Sequence, residues 1–453
     1  MELVDWLDYA LLIIYLPIIY LIAKTIRNRL YPPNHPWRKY FMPSLFLKIF
    51  GSIFITFLYV YYYGAGDTIG FYRNILRTNQ ILNDSVWKWI NVVLQIPKPY
   101  EAGYTEYISA ISTYQYGGNG IVVSIGSVIG IFACNSIVII SVLFAVLSFT
   151  GIWALFRIFA AQYPLMSDKI ALSVLYFPSV IAWGSGLFKD TICMFALGWL
   201  TYFTFQLLIK KKTNLISIIG LLSSTLLIGY TKIYILAALI PALLFWVLST
   251  YAFNAKNPIK RFFLKSAVPV IVIGLSIGLA GYFSEDLGLY SIENIAKTST
   301  SLRNDILEDS KTSDGSGYDL GDISTNPVDI IYAMPKAVNV TLFRPYLWES
   351  RKIVILLSSL ESTALLLIVL FILFKIGIGR TIKVIQANPN IQFCLIFTII
   401  FAFAVGISTY NFGSLSRYKI PCLPFFGIAL ALIYEKGIAL KESMRTSHIR
   451  NKH

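Results

Sequence analysis

Charged residues are scarce in this chain of 453 residues. They make up 13% of it, hydrophobic residues make up 56%, and the mean hydropathy is +0.66. A soluble globular domain carries about 25% charged residues. The scarcity extends along the whole length, because hydrophobic runs of 17 to 26 residues recur from Leu12 to Ile433 with short charged stretches between them. This distribution excludes a soluble enzyme, a disordered chain and a protein with a single membrane anchor.

Residues and motifs typical of soluble catalytic centres are also rare. The chain has three histidines, two of them in the last residues, which excludes a histidine-rich metal centre. The four cysteines lie in or beside apolar segments without metal-ligand spacing, so we interpret them as small core residues. No GxSxG, P-loop or GxGxxG element occurs in a strand–helix setting. ATP-driven chemistry would therefore need a separate subunit.

The hydrophobic runs predict an all-α integral membrane protein. Each run is long enough to cross a hydrocarbon core of about 30 Å, whereas strands of a membrane β-barrel are roughly ten residues of alternating polarity. The amino terminus lacks a basic region and a cleavage site, so we expect the first run to be retained. About eleven spans are predicted: 9–25, 43–63, 133–159, 169–186, 190–209, 214–230, 233–252, 266–284, 352–375, 391–409 and 418–435.

The distribution of basic residues predicts the orientation. Alternate connections, which include the stretch Lys210–Lys212 and the tail 436–453, contain 22 basic residues, whereas the opposite connections contain 15. Cytoplasmic connections carry the excess of lysine and arginine. The amino terminus is therefore expected outside and the basic tail in the cytoplasm. The net charge of +15 is interpreted as this bias, so no nucleic-acid partner is expected.

Two long connections are both predicted on the extracytoplasmic side of this single polytopic domain, which spans residues 1–453. Loop 64–132 is rich in tryptophan and tyrosine, which suits helices lying at the headgroup level. Its last residues, 120–132, are too short for a span and predict an interfacial or re-entrant segment. Loop 285–351 holds 11 acidic residues, is polar and turn-rich in its first part and becomes amphipathic towards its end.

Charged residues at the ends of apolar runs are the first candidates for function. Asp67 follows two glycines directly after the second run, where it could act as a general base, hold a divalent metal ion, or cap a helix that begins at Thr68. Lys189 precedes Asp190 at the next run; it could hold a phosphate beside a helix amino terminus or pair with its own aspartate. Lys232 lies between two runs and could bind an anion or be an ordinary loop lysine.

The carboxyl-terminal half offers further candidates. Arg344 could clamp a phosphate in bidentate fashion, and Trp348 could stack on a sugar or anchor at the membrane interface. Glu361 lies near mid-membrane, so it needs a partner and could belong to a purely structural buried pair. Arg417 and Lys419 lie in a turn that the topology places outside, against the positive-inside bias, which favours an anionic ligand over topological noise.

These residue types together predict a lipid-linked saccharide as the ligand. Cations on separate connections suit a phosphate at the membrane surface, and an acid suits proton abstraction from a hydroxyl. A lipid-linked sugar combines a buried chain, an interfacial phosphate and an external sugar.

The arrangement resembles the GT-C superfamily of multi-pass glycosyltransferases and related polysaccharide polymerases. Asp67 in GAGDTIGFY matches the position of the acid near the start of their first outer loop, and Lys189, Arg344 and Arg417 match their phosphate-binding cations in role. The segments WGSGLFKDT, FRPYLWES and GSLSRYKIP are similar to those of inner-membrane proteins from bacterial surface-polysaccharide clusters. The resemblance implies a GT-C-like fold, a polyprenyl-phosphate sugar donor, action on the extracytoplasmic face of the bacterial inner membrane, and other polysaccharide-assembly proteins as partners. No cofactor is fixed by it; Mg²⁺ or Mn²⁺ could bind at Asp67.

Two other functions stay open at this stage. A transporter or flippase of a lipid-linked saccharide would carry acids and bases through the middle of the membrane, interrupted helices and an internal repeat. A non-catalytic membrane assembly component would use the two long loops as binding surfaces. In that case, replacing Asp67 or Arg344 with alanine would leave function intact.

Overall fold

The computed structural model of this protein describes residues 3–114, 117–254, 257, 267–268, 274, 317–320, 327–350 and 353–450. The described residues are helical and contain no strand, only an isolated bridge between Gly317 and Asn411. Eight of their helices are long and apolar enough to cross a membrane. The chain is therefore an all-α, multi-pass integral membrane protein.

Eleven α-helices are described in the first half of the chain. They are α1 (Trp6–Leu30), α2 (Arg38–Phe57), α3 (Asp67–Gln80), α4 (Val86–Val93), α5 (Thr105–Ala110), α6 (Gly118–Phe132), α7 (Ile137–Gln162), α8 (Ser167–Leu175), α9 (Pro178–Trp183), α10 (Lys189–Thr204) and α11 (Leu215–Phe253). Two of them continue as π-helical turns, at Leu58–Tyr63 after α2 and at Phe205–Ile209 after α10. Short 3₁₀ turns lie at Ile81–Asn83 and Pro164–Met166.

Six α-helices are described in the second half. They are α12 (Pro327–Phe343), α13 (Ile353–Ile376), α14 (Ile378–Gln386), α15 (Pro389–Thr409), α16 (Phe412–Tyr418) and α17 (Leu423–Arg450), with a 3₁₀ turn at Leu347–Glu349. The residues predicted as a basic tail, 436–453, continue the helix α17 as far as Arg450. Most of the predicted span 266–284 and most of loop 285–351 lie outside the described residues.

The chain divides into two compact units. The first consists of Met1–Ser167, Val180–Phe203 and Leu215–Lys232, and the second of Asp168–Ser179, Thr204–Asn214 and Ile233–His453.

Helix α7 is the core of the first unit. In its most apolar window 78% of the residues are buried, against 17% for α1, so α7 is enclosed whereas α1 lies at the edge of the unit. It packs against α1 and α2. Gly198 of α10 allows a very close approach, because a Cβ there would lie 1.9 Å from the carbonyl oxygen of Gly151 in α7. Small residues of this kind let membrane helices pack backbone to backbone.

The helices of loop 64–132 belong to the same unit. Helix α3 packs against α6, and Ile75 and Val122, both completely buried, join the apolar core that α7 also enters. Asp84 and Lys88 at the start of α4 form the first-loop ion pair, with 2.8 Å between Lys88 Nζ and Asp84 Oδ2. The hydroxyl of Tyr107 also donates to Asp84, which ties α5 to α4. Segment 64–132 is thus a packed helical structure, and its predicted place at the membrane surface stays a prediction.

In the second unit, α15 is central and packs against both α12 and α17. Its start is fixed by Asn388, whose Oδ1 accepts from the backbone N–H groups of Asn390 at 2.9 Å and Ile391 at 3.4 Å. Near its other end a Cβ at Gly406 would lie 2.4 Å from the carbonyl oxygen of Ala337 in α12, so glycine is needed for this approach.

One predicted span is interrupted, and two others meet at a kink. Residues 169–186 contain the short helices α8 and α9, because Pro178 lacks an amide N–H and suits the first turn of a new helix better than the interior of a continuous one. The predicted spans 214–230 and 233–252 correspond to the two parts of α11, which are separated by a kink at Lys232, where φ is −151° and ψ is 84°.

Candidate functional site

Lys232 forms a buried ion pair with Asp190 in the first unit. The Nζ and Oδ1 atoms are 2.5 Å apart, and the two side chains are 6% and 1% exposed. Helix α10 begins at Lys189, so Asp190 lies in its first turn, where the helix dipole stabilises a negative charge. The interpretation of Lys232 as an ordinary loop lysine is therefore wrong. Its side chain is enclosed, at the residue where α11 leaves helical geometry.

Lys48 is a buried cation that the sequence analysis did not select. It lies within α2, is 2% exposed, and donates to the carbonyl oxygens of Val180 at 2.9 Å and Gly184 at 2.8 Å and to Ser148 Oγ at 3.3 Å. The two carbonyls belong to the carboxyl-terminal end of α9 and the residue after it, where the helix dipole is negative. The carbonyl of Val180 also accepts from the N–H of Gly184 at 3.2 Å. All three ammonium hydrogens thus have acceptors. The sequence signal that could have identified Lys48 is that it is a lone lysine within an apolar run.

Glu361 is held in the second unit by neutral donors. Its carboxylate accepts from the backbone N–H of Ser179 at 2.8 Å and from Ser179 Oγ at 2.7 Å, and the residue is 8% exposed. The break before α9 makes this contact possible, because Ser179 lies in the first turn of that helix and its amide is free of an intrahelical partner. Glu361 also interacts electrostatically with a charged residue, Lys419.

Lys419 is joined to the end of α12 through Ser362. It is completely buried, and its Nζ donates to Ser362 Oγ at 2.7 Å. The Ser362 hydroxyl in turn donates to the backbone carbonyl oxygen of Arg344 at 3.1 Å. Two residues selected from the sequence on separate connections, Arg344 and Lys419, are therefore linked by short polar contacts within one unit, and Glu361 precedes the serine that links them.

Arg344 has a carboxylate partner. Its guanidinium forms a fork with Glu349, with Nε 3.1 and 3.0 Å from the two carboxylate oxygens and a further bond from the second nitrogen. The side chains are 20% and 18% exposed. The guanidinium also lies over the rings of Tyr318, Tyr346 and Phe412 at 5.9, 5.7 and 5.2 Å from their centroids. A phosphate at Arg344 would have to take the place of Glu349.

Arg417 lies on α16 and is 8% exposed, with its guanidinium 5.9 Å from the ring centroid of Tyr418. The neighbouring Ser416 donates to Ser358 Oγ of α13 at 2.8 Å. The turn that the sequence analysis expected at the outer surface is thus packed into the second unit, and both of its cations are buried.

We define the lipid groove as the cavity of about 570 Å³ between α8, α13 and α17 in the second unit. Glu361 and, one helical turn after another, Ala364, Ile368 and Phe371 line it from α13. Helices α8 and α17 contribute mostly apolar side chains, and Lys169 at the start of α8 forms an ion pair with Glu435. The groove is therefore apolar along its walls and charged at Glu361 and Lys169.

Asp67 and Lys189 lie in the first unit. Asp67 is exposed and is the first residue of α3, after the N-cap Gly66, so its carboxylate lies at the positive end of that helix. The interpretation of Asp67 as the cap of a helix beginning at Thr68 is therefore wrong by one residue. Lys189 is half-buried at the start of α10. The sequence also predicts that Asp67, Arg344 and Arg417 converge on one cavity. Asp67 belongs to a different unit from the two arginines, so this convergence stays a prediction.

A metal centre is not built into the described residues. Within them, no group of three or more histidine, cysteine, aspartate or glutamate side chains could hold a metal ion. The donor set that Mg²⁺ or Mn²⁺ would need at Asp67 is not found there, and we derive no step through a metal.

Comparison with known proteins adds no relative. No family model matches this sequence, and no curated protein and no solved structure matches it either.

Proposed function

We propose that this chain is a membrane glycosyltransferase or polysaccharide polymerase that takes its sugar from a polyprenyl-phosphate donor. The observation that carries the proposal is the lipid groove, because its walls are apolar and its lining includes the carboxylate of Glu361, which interacts electrostatically with the buried Lys419. An amphiphile with a long apolar chain and an anionic head likewise combines an apolar part with a charged part. The bacterial inner membrane and the GT-C-like family are parts of the same proposal.

The lipid groove supports a chain-binding role through its shape. Lipid tails are as apolar as the groove walls, so an isoprenoid chain gains little from the hydrophobic effect on leaving the bilayer. What a groove supplies is position: it holds the chain so that the phosphate lies at a defined place. Specificity for the donor then comes from the charged residues beside the groove.

In the proposed reaction, a hydroxyl of the acceptor attacks the anomeric carbon of the donor sugar. The new carbon–oxygen bond replaces the bond to the phosphate oxygen, and polyprenyl phosphate leaves with the electron pair. Asp67 accepts the hydroxyl proton and later returns it to water, and Arg344 stabilises the charge that develops on the phosphate. Lys189, Arg417 and Lys419 contribute positive potential, and Trp348 contacts the sugar. Lys232, which the sequence also suggested, is neutralised by Asp190.

The proposed topology has eleven spans, both long loops outside the cytoplasm and the carboxyl terminus inside. It is tested by labelling single cysteines with an impermeant reagent, in a background where the exposed Cys134 is replaced by alanine. Ser109→Cys in the first loop should react from outside, and Thr213→Cys after the lysine run only in permeabilised cells. Labelling of Ser109→Cys solely from the cytoplasmic side would overturn the orientation and the function together.

The function is tested in cells that depend on this chain for their surface polysaccharide. Asp67→Asn should lower product by about 10²–10⁴-fold, the usual contribution of a general base. Glu106→Gln is the matched control, because Glu106 is an exposed acid of the same loop. Arg344→Lys should also impair the reaction, since lysine cannot reproduce a bidentate fork. Near-normal product from a well-expressed Asp67→Asn variant excludes the catalytic role.

A transporter or flippase of a lipid-linked saccharide is the second candidate, and specific observations favour it. The helices are interrupted at Pro178 and Lys232, and the chain buries Lys48 and the Asp190–Lys232 pair within or beside apolar segments. Proteoliposomes separate the two functions. A transporter moves a labelled lipid-linked sugar across the bilayer without forming a glycosidic bond, and Asp67→Asn leaves that movement intact. A non-catalytic assembly component would do neither.

A further inference from the structure

The turn after α12 presents an exposed aromatic platform. Trp348 is 81% exposed, and its ring is stacked on that of Tyr346 with centroids 4.9 Å apart and an interplanar angle of 25°. Tyr346 also receives the guanidinium of Arg344, 5.7 Å from its centroid. We define Tyr346 and Trp348 as the aromatic platform.

The aromatic platform is fixed by the backbone of its own turn. The Glu349 carboxylate accepts from the N–H of Tyr346 at 2.8 Å, and the N–H of Glu349 donates to the carbonyl oxygen of Tyr346 at 3.0 Å. The Tyr346 hydroxyl accepts from Asn339 Nδ2 at 3.3 Å. A ligand that binds to rings already held in place loses less conformational entropy on binding.

We propose that the aromatic platform binds a neutral pyranose ring. The C–H face of a pyranose is weakly positive and packs on the negative face of an aromatic ring, while its hydroxyl groups reach polar atoms at the edge. Those atoms here belong to Arg344 and Glu349, which neutralise each other in a fork. A sugar carboxylate would compete with Glu349 for the guanidinium, so the pair disfavours acidic sugars. The inference rests on the proposed function in taking the ligand to be the saccharide part of its substrates.

The experiment uses the full-length protein in lipid nanodiscs and two probes of matched shape, methyl β-D-glucopyranoside and methyl β-D-glucopyranosiduronate. Saturation-transfer NMR reports weak binding of each. We expect the wild-type protein to bind the neutral glycoside more tightly. Trp348→Ala should weaken that binding about tenfold, whereas Trp348→Phe, which keeps an aromatic face, should retain part of it.

Glu349→Gln tests the selectivity. The substitution keeps the size of the side chain and releases the guanidinium of Arg344 from a carboxylate, so we expect binding of the glucuronide to increase relative to the glucoside. Trp87→Ala is the control for interfacial tryptophans, because Trp87 is 75% exposed on α4. It should leave binding of both probes unchanged.

The proposal is overturned if the wild-type protein binds no glucoside, if Trp348→Ala leaves binding unchanged, or if Trp87→Ala reduces binding equally. In that case Trp348 serves as an interfacial anchor. No turnover is needed, so the outcome is separate from that of the transferase proposal, which fails if Asp67→Asn still forms product.

Discussion

The Asp190–Lys232 ion pair allows the sharpest test of the structure. Asp190→Asn or Lys232→Met alone leaves the remaining charge without its partner in a place where the side chains are 1% and 6% exposed. Stranding a buried charge in this way costs about 3–5 kcal/mol, or a factor of roughly 10²–10⁴ in the unfolding equilibrium. The double variant Asp190→Leu/Lys232→Met removes both charges and keeps apolar volume. It should be within a few kcal/mol of the wild-type protein or more stable, because the desolvation cost of both ions disappears.

The assay is reversible unfolding in mixed micelles, followed by circular dichroism and tryptophan fluorescence. Each single variant should unfold at a clearly lower denaturant fraction, and the double variant should recover most of the difference. The first-loop ion pair is the matched control, because its side chains are 36% and 50% exposed. Exposed pairs contribute little, so neutralising either of its members should shift the same transition far less than breaking the buried pair does.

Two results would refute the reasoning. If each single substitution costs less than about 1 kcal/mol, the pair is solvated and not buried. If the cost of the double variant equals the sum of the single costs, the two side chains do not interact, and the contact at the break in α11 is absent.

Three further predictions concern packing, pH and the lipid groove. Gly198→Ala should destabilise the fold strongly, because the new Cβ would lie 1.9 Å from a carbonyl oxygen of α7. Gly70→Ala should be neutral or stabilising, because no atom lies within 4 Å of the position of its Cβ. Thermal unfolding compares the two variants. The pKa of the Asp84 carboxyl in the first-loop ion pair is lowered, chiefly by its hydrogen bond from Lys88. The contribution of this carboxylate to stability is therefore present above about pH 4 and is lost as the pH falls through the lowered pKa. Hydrogen exchange of α4 and α5 measures the loss, and neutralising Asp84 by substitution should remove the pH dependence. Ile368→Trp should narrow the lipid groove and reduce photocrosslinking by a polyprenyl-phosphate analogue. Leu356→Trp, on the same helix and similarly exposed, should leave photocrosslinking unchanged. Equal crosslinking in the two variants would contradict binding of the lipid chain in the groove.

The long helices could be predicted from the sequence because a bilayer imposes a length. A helix of about twenty apolar residues satisfies its own backbone hydrogen bonds and crosses the hydrocarbon core. The mean hydropathy of a segment of that length therefore identifies such a helix directly. Residues 169–186 show where this reasoning stops. Their hydropathy is that of a span, but Pro178 divides them into α8 and α9, and hydropathy does not register a missing amide.

The candidate site was predicted in part. Arg344, Glu361 and Lys419 were selected because a charge near an apolar span needs a partner or a function; in the structure Ser362 links Lys419 to the backbone carbonyl of Arg344, and Glu361 interacts electrostatically with Lys419. The partners could not be predicted, because Lys232 lies 42 residues from Asp190 and Ser179 lies 182 residues from Glu361. Such pairs depend on which helices pack together. No local periodicity encodes that choice.

The partners of the cations change how a phosphate would bind. A cation enclosed among membrane helices is costly unless something neutralises or solvates it, so it acquires a partner during folding. Arg344 is held by Glu349, Lys232 by Asp190, and Lys48 by carbonyl groups. A phosphate that binds at Arg344 therefore exchanges places with a carboxylate, and its net electrostatic gain is smaller than that at a free cation. Such an exchange favours ligands whose geometry matches the guanidinium fork, because only they replace both oxygens of Glu349 at once.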